Sequence, residues 1–378
     1  MYKTVTLIFW LLATIARGQS VWTLENPWPT KKHMLSVTYG GSQFVMVGVD
    51  SGVLTSPDGL NWTLRNSGAA YILNSVVFGG SQFVAVGQVG SIFTSPDGIG
   101  WTPRVSGTLL LLNSVAFGGS RFVAVSQGGT ILTSPDGATW TGSNSGISNP
   151  LFSVIFGGSL FVAVGYGGSI LTSPDGTTWT TRNSGTASNL NSVAYSGSQF
   201  VAVGQAGTIL TSPDGINWTP GNSGTTAYLG AVTYGVAQFV AVGYGGSILT
   251  SPDGVNWTTR KSGTSRLLAS VVFGKSRFLA LDGENLLTSP QDGAATLVGS
   301  VARGISLRLT SSDLFASYPR FSRRPVHSVI FTVSGNKMME AWGRGDGISL
   351  PVGDLARGVY TLDVACGKER ASSRFVKR

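Results

Sequence analysis

Cysteine, histidine and charge are all scarce in this sequence. Its 378 residues include one cysteine, Cys366, and two histidines, and only 11% are charged. A single cysteine excludes an intramolecular disulfide. So few histidines and carboxylates leave little material for a catalytic triad or a clustered metal site. We therefore expect no cofactor and no bound metal, in a chain stabilised by packing and by sheet closure.

Long hydrophobic runs are also missing. The apolar run at residues 5–16 is too short to cross a bilayer as a helix. Lys3 precedes this run, and Ala16-Arg17-Gly18 follows it with the small residues typical of a cleavage site. We interpret residues 1–18 as a secretory signal peptide, with an uncleaved anchor as the alternative. The mature chain is expected to be soluble.

The positive charge is unevenly distributed along the chain. The net charge is +9, yet residues 21–300 contain 11 basic and 11 acidic side chains, whereas residues 301–378 contain 13 basic and 6 acidic ones. The larger part is neutral and lacks the electrostatic footprint of a nucleic-acid-binding protein. We predict no nucleic-acid partner, and we expect a monomer.

Glycine is abundant, with 53 residues, and it accompanies a repeat of 39 residues. In the second repeat, short apolar runs at residues 75–78, 83–86, 91–94 and 101–104 are separated by turn residues. Four strands in about 40 residues is typical of a β-propeller blade. The repeat is marked by tryptophans at positions Trp62, Trp101, Trp140, Trp179, Trp218 and Trp257, and by aspartates at positions Asp58, Asp97, Asp136, Asp175, Asp214, Asp253 and Asp292.

The number of blades follows from how the ring closes. Seven sets of three inner strands are present, but Thr296 stands where the seventh tryptophan would be, so the seventh blade lacks its fourth strand. The segment 21–24 is a fourth strand without a blade before it. We therefore predict an all-β fold, in which residues 19–298 form a seven-bladed β-propeller closed by an N-terminal strand that covers an open edge. A small C-terminal β-sandwich follows at residues 299–378.

The segment Ser173-Pro-Asp-Gly-Thr-Thr-Trp179 resembles the Asp-box, or BNR, repeat of sialidases, sortilin-type receptors and the photosystem II assembly factor. It has one residue fewer between the aspartate and the aromatic residue. With Phe-Val-Ala-Val-Gly at residues 161–165, it resembles repeats of bacterial surface propellers. The resemblance covers residues 21–298 and implies that all seven box aspartates are structural. An aspartate in this position can cap its own turn.

The C-terminal region carries a second resemblance. A strand and glycine turn at residues 329–337, the strand beginning Gly358-Val359-Tyr360, and the terminal residues 374–377 are similar to the type A sorting domain of the type IX secretion system. Asn336, between Gly335 and Lys337, departs from the pattern. The resemblance covers residues 304–378 and implies export across a Gram-negative outer membrane by the type IX machinery. A structural β-sandwich is the alternative.

Few residues of the propeller are suited to catalysis. A sialidase needs arginines at the central axis, but Arg65, Arg104, Arg182 and Arg260 share one position on the outermost strand. A glycosidase with two carboxylates would have to use Asp50, Asp282 and Glu284, which align with the turns between the second and third strands of blades 1 and 7. We predict an acidic spot there. It could hold a cation, or its members could be solvated turn acids.

The turns between the second and third strands carry the best candidates for ligand binding. At the same repeat position they present Gln88, Gln127, Tyr166, Gln205 and Tyr244. These turns should share one face with the loops between blades, opposite the Asp-boxes. Amide and aromatic groups around an opening suit an uncharged polar ligand such as a glycan. Alternatively, they only cover the ends of the strands.

Together these patterns favour a secreted or cell-surface binding propeller that is not an enzyme. Its expected ligand is a polysaccharide or a surface protein, and its expected location is outside a Gram-negative cell or on its outer surface. Two alternatives stay open. One is a polysaccharide-active enzyme related to Asp-box glycosidases, which the scarcity of carboxylates disfavours. The other is an assembly or stability factor for an envelope complex.

Overall fold

The structure, a computed structural model, describes residues 22–25 and 29–289, together with the backbone of seven strands between residues 306 and 377. The predicted signal peptide at residues 1–18, the seventh box aspartate Asp292, and Thr296 lie outside the described residues. Within the described part, no helix has the length and hydropathy needed to cross a membrane.

Six blades are antiparallel sheets whose four strands pair in chain order. Blade 1 contains β2 (Met34–Gly40), β3 (Gln43–Gly48), β4 (Gly52–Ser56) and β5 (Thr63–Asn66). Blade 2 contains β6 (Leu73–Gly79), β7 (Gln82–Gly87), β8 (Ile92–Ser95) and β9 (Thr102–Arg104). Blade 3 contains β10 (Leu112–Gly118), β11 (Arg121–Ser126), β12 (Ile131–Ser134) and β13 (Thr141–Ser143). The strands of the second repeat therefore lie where the sequence predicts them, within a few residues.

The next three blades repeat this pattern. Blade 4 contains β14 (Leu151–Gly157), β15 (Leu160–Gly165), β16 (Ile170–Ser173) and β17 (Thr180–Arg182). Blade 5 contains β18 (Leu190–Tyr195), β19 (Phe200–Gly204), β20 (Ile209–Ser212) and β21 (Thr219–Pro220). Blade 6 contains β22 (Leu229–Gly235), β23 (Gln238–Gly243), β24 (Ile248–Ser251) and β25 (Thr258–Arg260).

Blade 7 is completed by the N-terminal strand, as predicted. It contains β26 (Ser270–Gly274), β27 (Arg277–Leu281) and β28 (Leu286–Thr288), and its outer strand is β1 (Thr23–Glu25), which pairs antiparallel with β28. Trp22, 4% exposed, packs into the apolar cluster of this blade, and Thr288 Oγ1 donates to Glu25 Oε1 at 2.6 Å. The first strand of blade 7 contacts the first strand of blade 1. The ring of seven blades is therefore closed.

The second strand of each blade is buried on both sides. In blade 3, Phe122, Val123, Ala124 and Val125 are all completely buried, because each face of the strand packs against a neighbouring blade. Such strands have continuous apolar sequences in place of alternating ones. The outermost strands are mostly exposed, which fits their polar sequences.

Aromatic side chains connect the first strands of neighbouring blades, and these contacts were not predicted from the sequence. At the end of each first strand an aromatic residue lies against the phenylalanine of the second strand, with ring centroids 4.5–4.9 Å apart. In six of the seven blades, the aromatic residue also covers a glycine of the preceding blade. At Gly118, for example, a Cβ atom would lie 2.0 Å from Phe156 Cγ. The seven aromatic residues are Tyr39, Phe78, Phe117, Phe156, Tyr195, Tyr234 and Phe273.

Serine side chains join the first strands at a second level. The register of the first strand shifts near its start, and Val115 N there donates to Ser75 Oγ of the preceding blade at 3.2 Å. The same bond links Val76 to Ser36, Val154 to Ser114 and Val232 to Ser192. A backbone donor that the sheet leaves unpaired is thus satisfied by the neighbouring blade.

Two further sheets form from the C-terminal strands. The strands are β29 (Ser306–Leu309), β30 (Asp313–Ser317), β31 (Val326–Thr332), β32 (Lys337–Gly343), β33 (Gly347–Pro351), β34 (Gly358–Cys366) and β35 (Glu369–Lys377). One sheet has the order β29-β30-β33 and the other β32-β31-β34-β35. The predicted Gly-Val-Tyr strand begins β34, and the predicted terminal strand lies in β35. Their assignment to a sorting domain stays a prediction.

Candidate ligand-binding face

The propeller has two faces of different construction. On one face, the turns between second and third strands bond to the loops between blades, as Gln127 N does to Leu111 O at 3.0 Å. We call this the loop face. On the other, the turns between first and second strands reach the Asp-box of the next blade, as Gln82 Nε2 does to Asp136 O at 2.6 Å. We call this the box face. The predicted division of the turns is confirmed.

In each described box, the aspartate carboxylate accepts hydrogen bonds from its own turn. In blade 4, Asp175 Oδ1 accepts from Thr177 N and Thr178 N, both at 2.8 Å, and from Ser173 Oγ at 2.9 Å. Gly176 N donates to Ser173 Oγ, and Trp179 Nε1 donates to Gly176 O. The aspartate therefore caps its own turn, which is the arrangement expected from the sequence.

These hydrogen bonds stabilise the ionised carboxylates. The backbone N–H groups of Thr139 and Ala138 hold the pKa of Asp136 at about 2, against a burial effect that acts in the opposite direction. In blade 4, the N–H groups of Thr178 and Thr177 lower the pKa of Asp175 in the same way. A carboxylate that accepts several backbone N–H bonds is a poor general acid near neutral pH.

The four outer-strand arginines lie at the rim, as predicted. Arg182 Nε donates to Thr172 Oγ1 of the adjacent strand at 2.8 Å. The same bond is present for Arg65, Arg104 and Arg260. Their place on the outermost strand, away from the axis, does not match that of sialidase arginines.

The five predicted ligand-binding side chains all lie on the loop face. Tyr166 and Tyr244 are 52% and 65% exposed, Gln127 and Gln205 are exposed, and Gln88 is half-buried. Four of these residues begin three-residue 3-10 turns. In blade 2 the turn Gln88–Gly90 holds Val89 at a positive φ of 53°.

Two of the three carboxylates of the predicted acidic spot, those of Asp282 and Glu284, are engaged in hydrogen bonds or an ion pair. Asp282 caps its own turn by accepting from Glu284 N and Asn285 N. Glu284 pairs with Arg266 and accepts a hydrogen bond from His33 Nε2 at 3.1 Å. The Arg266 guanidinium, followed by His33, lowers the pKa of Glu284. Among the described residues, no group of three or more histidine, cysteine or acidic side chains is placed to hold a metal ion.

Asp50 lies in the neighbouring turn of blade 1, where its backbone oxygen accepts from Lys32 Nζ. Lys32 and His33 thus link the turns of blades 1 and 7, which confirms that these turns are neighbours. The pairing of Glu284 with two basic groups was not predicted, since it depends on loops that only the folded ring brings together.

The loop face also has an exposed apolar sector. In the loop between blades 2 and 3, Val105 is 84% exposed and Leu109 is 81% exposed, and Leu110 is exposed as well. Tyr71, in the preceding loop, and Val89, in the blade 2 turn, are also exposed. The positions that correspond to Leu109 in the next three loops are Ser148, Ala187 and Thr226. We call Tyr71, Val89, Val105, Leu109 and Leu110 the apolar sector. Comparing the inter-blade loops at the 39-residue step would have found it in the sequence.

A cavity of about 400 Å³ opens in blade 5, on the loop face. It is lined by residues of the two adjoining loops, including Thr186 and Thr225, by the turn residues 206–208, and by the end of the outer strand at Pro220 and Gly221. Gln205 precedes these turn residues. The cavity therefore lies beside one of the five predicted residues.

Comparisons with known proteins show the fold. No protein-family model matches this chain, and no curated protein matches it. It is similar to the structure of YCF48 from Cyanidioschyzon merolae, with 20% identity over 72% of this chain and 98% of that chain, and a TM-score of 0.58. It is also similar to YCF48 bound to D1 peptide, with 20% identity, 71% and 94% coverage, and a TM-score of 0.60.

A third similar structure covers more of this chain. It is PorZ, an essential bacterial surface component of the type-IX secretion system of Porphyromonas gingivalis, with 13% identity over 90% of this chain and 58% of that chain, and a TM-score of 0.52. At these identities the similarity concerns the fold alone. The chain is a seven-bladed β-propeller of the kind found in YCF48 and PorZ.

Proposed function

We propose that this protein is a non-catalytic interaction module, exported to the cell surface or beyond, which binds its ligand on the loop face. The observation that carries the proposal is the exposure of Tyr166 and Tyr244 there, beside glutamines at the same repeat position. Aromatic and amide groups recognise uncharged polar ligands, and we favour a polysaccharide.

The state of the acidic side chains supports a non-catalytic role. The box aspartates of the six described boxes cap their turns. Of the four described acidic residues outside the boxes, three have engaged carboxylates: Asp282 caps its turn, Glu284 pairs with Arg266, and Glu25 accepts a hydrogen bond from Thr288. Carboxylates held in this way are unsuited to the acid and nucleophile roles that glycoside hydrolysis needs. Asp50 is then a single carboxylate, whereas glycoside hydrolysis needs two.

Export rests on the two ends of the chain. The predicted signal peptide and the resemblance of residues 304–378 to a type IX sorting domain both support a location outside the cell. The structural similarity to PorZ, a surface component of that system, is compatible with this location.

A protein ligand is the second candidate. The apolar sector offers the side chains that protein interfaces bury. The similar structure of YCF48 contains a bound D1 peptide. In this case the partner would be a surface protein or a component of an envelope complex.

The proposal can be tested with full-length protein and isolated envelope material of the source organism. A loop-face variant combines Tyr166→Ala, Tyr244→Ala and Leu109→Ser. A box-face control combines Ile99→Ala, Ile216→Ala and Val255→Ala, which remove exposed apolar side chains from the opposite face. We expect the loop-face variant to lose binding and the control to retain it. The reverse pattern, or release of new reducing ends by the wild type, would contradict the proposal.

A further inference from the structure

Blade 5 departs from the repeat at its outer strand. This strand, Thr219–Pro220, has two residues, whereas the outer strands of blades 4 and 6 have three. Gly221 stands where blades 1, 2, 4 and 6 carry the rim arginine. Gly221 N still donates a hydrogen bond to Ile209 O of the adjacent strand. The next residue, Asn222, instead forms a backbone β-bridge with Asn256 of blade 6.

The cavity of about 400 Å³ lies where this strand departs. Its volume falls in the range of about 300–1,000 Å³ that is typical of small-molecule sites. None of the described residues that line it is charged. Thr186, Thr208, Thr225 and Asn222 are among the lining residues, and they carry hydroxyl and amide groups. Asn222 Oδ1 accepts from Gly224 N, and the NH2 group of the same amide is a donor group.

The two exposed tyrosines belong to the turns on either side of this cavity. In blade 4, the turn Tyr166–Gly168 lies against the loop that supplies Thr186, since a Cβ on Gly168 would be 2.1 Å from Thr186 O. In blade 6, Tyr244 N donates to Tyr228 O at 2.8 Å, in the loop that supplies Thr225. Tyr166 and Tyr244 therefore belong to the turns that contact the two loops lining the cavity, one in the blade before it and one in the blade after it.

The residues that follow these tyrosines leave the rings accessible. Gly167 and Gly245 have positive φ angles of 62° and 66°, and nothing lies within 4 Å of the position that a Cβ would take on either glycine. In the turn between them, Ala206 takes this position next to Gln205. A ring without a neighbouring side chain can stack on a flat ligand face.

We propose that this arrangement is one binding site for an extended, neutral polysaccharide. A sugar residue enters the blade 5 cavity and bonds to the threonine hydroxyls and Asn222, and sugars on either side of it stack on Tyr166 and Tyr244. The absence of charge in the cavity favours a neutral ligand over an anionic one. The site deepens the proposed loop-face function and rests on it.

The test uses the full-length protein and a panel of purified polysaccharides. Mannan, xylan and β-1,3-glucan are the neutral probes, and alginate and polygalacturonate are the anionic ones. Affinity is measured by isothermal titration calorimetry. We expect at least one neutral probe to bind and the anionic probes to bind at least tenfold more weakly. Binding of anionic probes alone, or of none, would overturn the proposal.

Two pairs of variants locate the site. Thr186→Trp blocks the cavity, and Thr108→Trp is its matched control. The two threonines are equivalent because the hydroxyl oxygen of each accepts a hydrogen bond from the backbone N–H two residues later in the chain. Ile147 at the corresponding position of another loop shows that the fold accommodates a bulky residue there. Tyr166→Ala with Tyr244→Ala is matched by Tyr71→Ala, an exposed tyrosine in the apolar sector.

We expect Thr186→Trp to weaken binding about tenfold or more because the indole fills the cavity. We expect a loss of about the same size for the double tyrosine variant, because it removes two stacking contacts. The controls should stay within about twofold of wild type, and melting temperatures verify that all variants fold. Equal losses in variant and control would overturn the site. If no polysaccharide binds while the loop-face variant still loses envelope binding, the glycan inference fails and the loop-face function stands, with a protein ligand.

Discussion

The two faces of the propeller differ in how far the repeat constrains them. On the box face, the aspartate, the serine two residues before it and the glycine directly after it recur in all six described boxes, and in each box the serine hydroxyl donates to the aspartate carboxylate. On the loop face, the corresponding position is glutamine in three blades and tyrosine in two. The bonds of each aspartate carboxylate lie within its own blade, so every blade needs its own aspartate and serine.

The loop-face side chains have a different status. The side chains of Tyr166 and Tyr244 project into solvent, so the fold places little demand on their identity. Variation from blade to blade is then possible without loss of stability. The comparison teaches that positions shared by the blades serve the blade, and that positions which differ are available for binding.

The largest expected effect comes from the joints between blades on the box-face side. Gly118→Ala would force a Cβ to within 2.0 Å of the Phe156 ring. Overpacking of this kind costs typically about 1–3 kcal/mol, and we expect the upper end because the phenylalanine is held by its own blade. Urea unfolding measures the free energy. Gly146→Ala on the loop face is the control. A Cβ added at Gly146 would have no neighbouring atom within 4 Å, so only the positive φ of 78° opposes this substitution. A cost for Gly146→Ala equal to that for Gly118→Ala would break the comparison.

Removing a box carboxylate should have the next largest effect. Asp175→Ala leaves the N–H groups of Thr177 and Thr178 without their acceptor, and loss of such a cap costs about 1–2 kcal/mol. Gln205→Ala, at the exposed loop-face position, should change the free energy of unfolding by less than about 0.5 kcal/mol. Equal effects in the two variants would show that the box aspartate is not structural.

Acid should weaken the box face selectively. The pKa of Asp136 is about 2 in the folded protein, below the value of about 3.9 for an unfolded aspartate. Its stabilising contribution is therefore present above pH about 4 and is lost as the pH falls towards about 2. We expect the difference in melting temperature between wild type and Asp136→Asn to shrink over this interval. A difference that stays constant, as expected for the control Gln127→Ala, would argue against the assigned hydrogen bonds.

The smallest effect on stability is expected for the tyrosines proposed to bind ligand. Tyr166→Ala and Tyr244→Ala should each change the free energy of unfolding by less than about 0.5 kcal/mol. Differential scanning calorimetry of the variants checks this without any ligand. A loss of several degrees in either variant would mean that the ring supports its turn, and would weaken the contrast between the faces.

Much of the fold could be predicted because the repeat is regular. The 39-residue spacing that starts at Asp58 and Trp62 predicts where the strands lie. The lack of a tryptophan at position 296 and the extra N-terminal strand together predict how the ring closes. The contacts between blades could not be predicted in the same way. That Phe156 covers Gly118 depends on the packing angle between blades, which the sequence pattern does not contain.

The candidate site was predicted in part. The position of Tyr166 and Tyr244 on the loop face follows from counting strands, but the cavity between them depends on the path of the chain after Pro220. A proline and a glycine at residues 220 and 221, where blade 4 has Thr181-Arg182, were a visible signal of that departure. The pairing of Glu284 with Arg266 and His33 joins residues that are far apart in the sequence, and only the closed ring brings them together.

The central claim is that ligand contacts the loop face and leaves the box face free. Carbene footprinting of the full-length protein, with and without isolated envelope material, tests this claim directly. We predict protection of the turns at residues 166–168, 205–208 and 244–246 and of the loops at 183–189 and 222–228, with no change in the boxes. Protection of the boxes at residues 173–179 and 212–218, with unchanged labelling of the loop-face turns, would contradict the account.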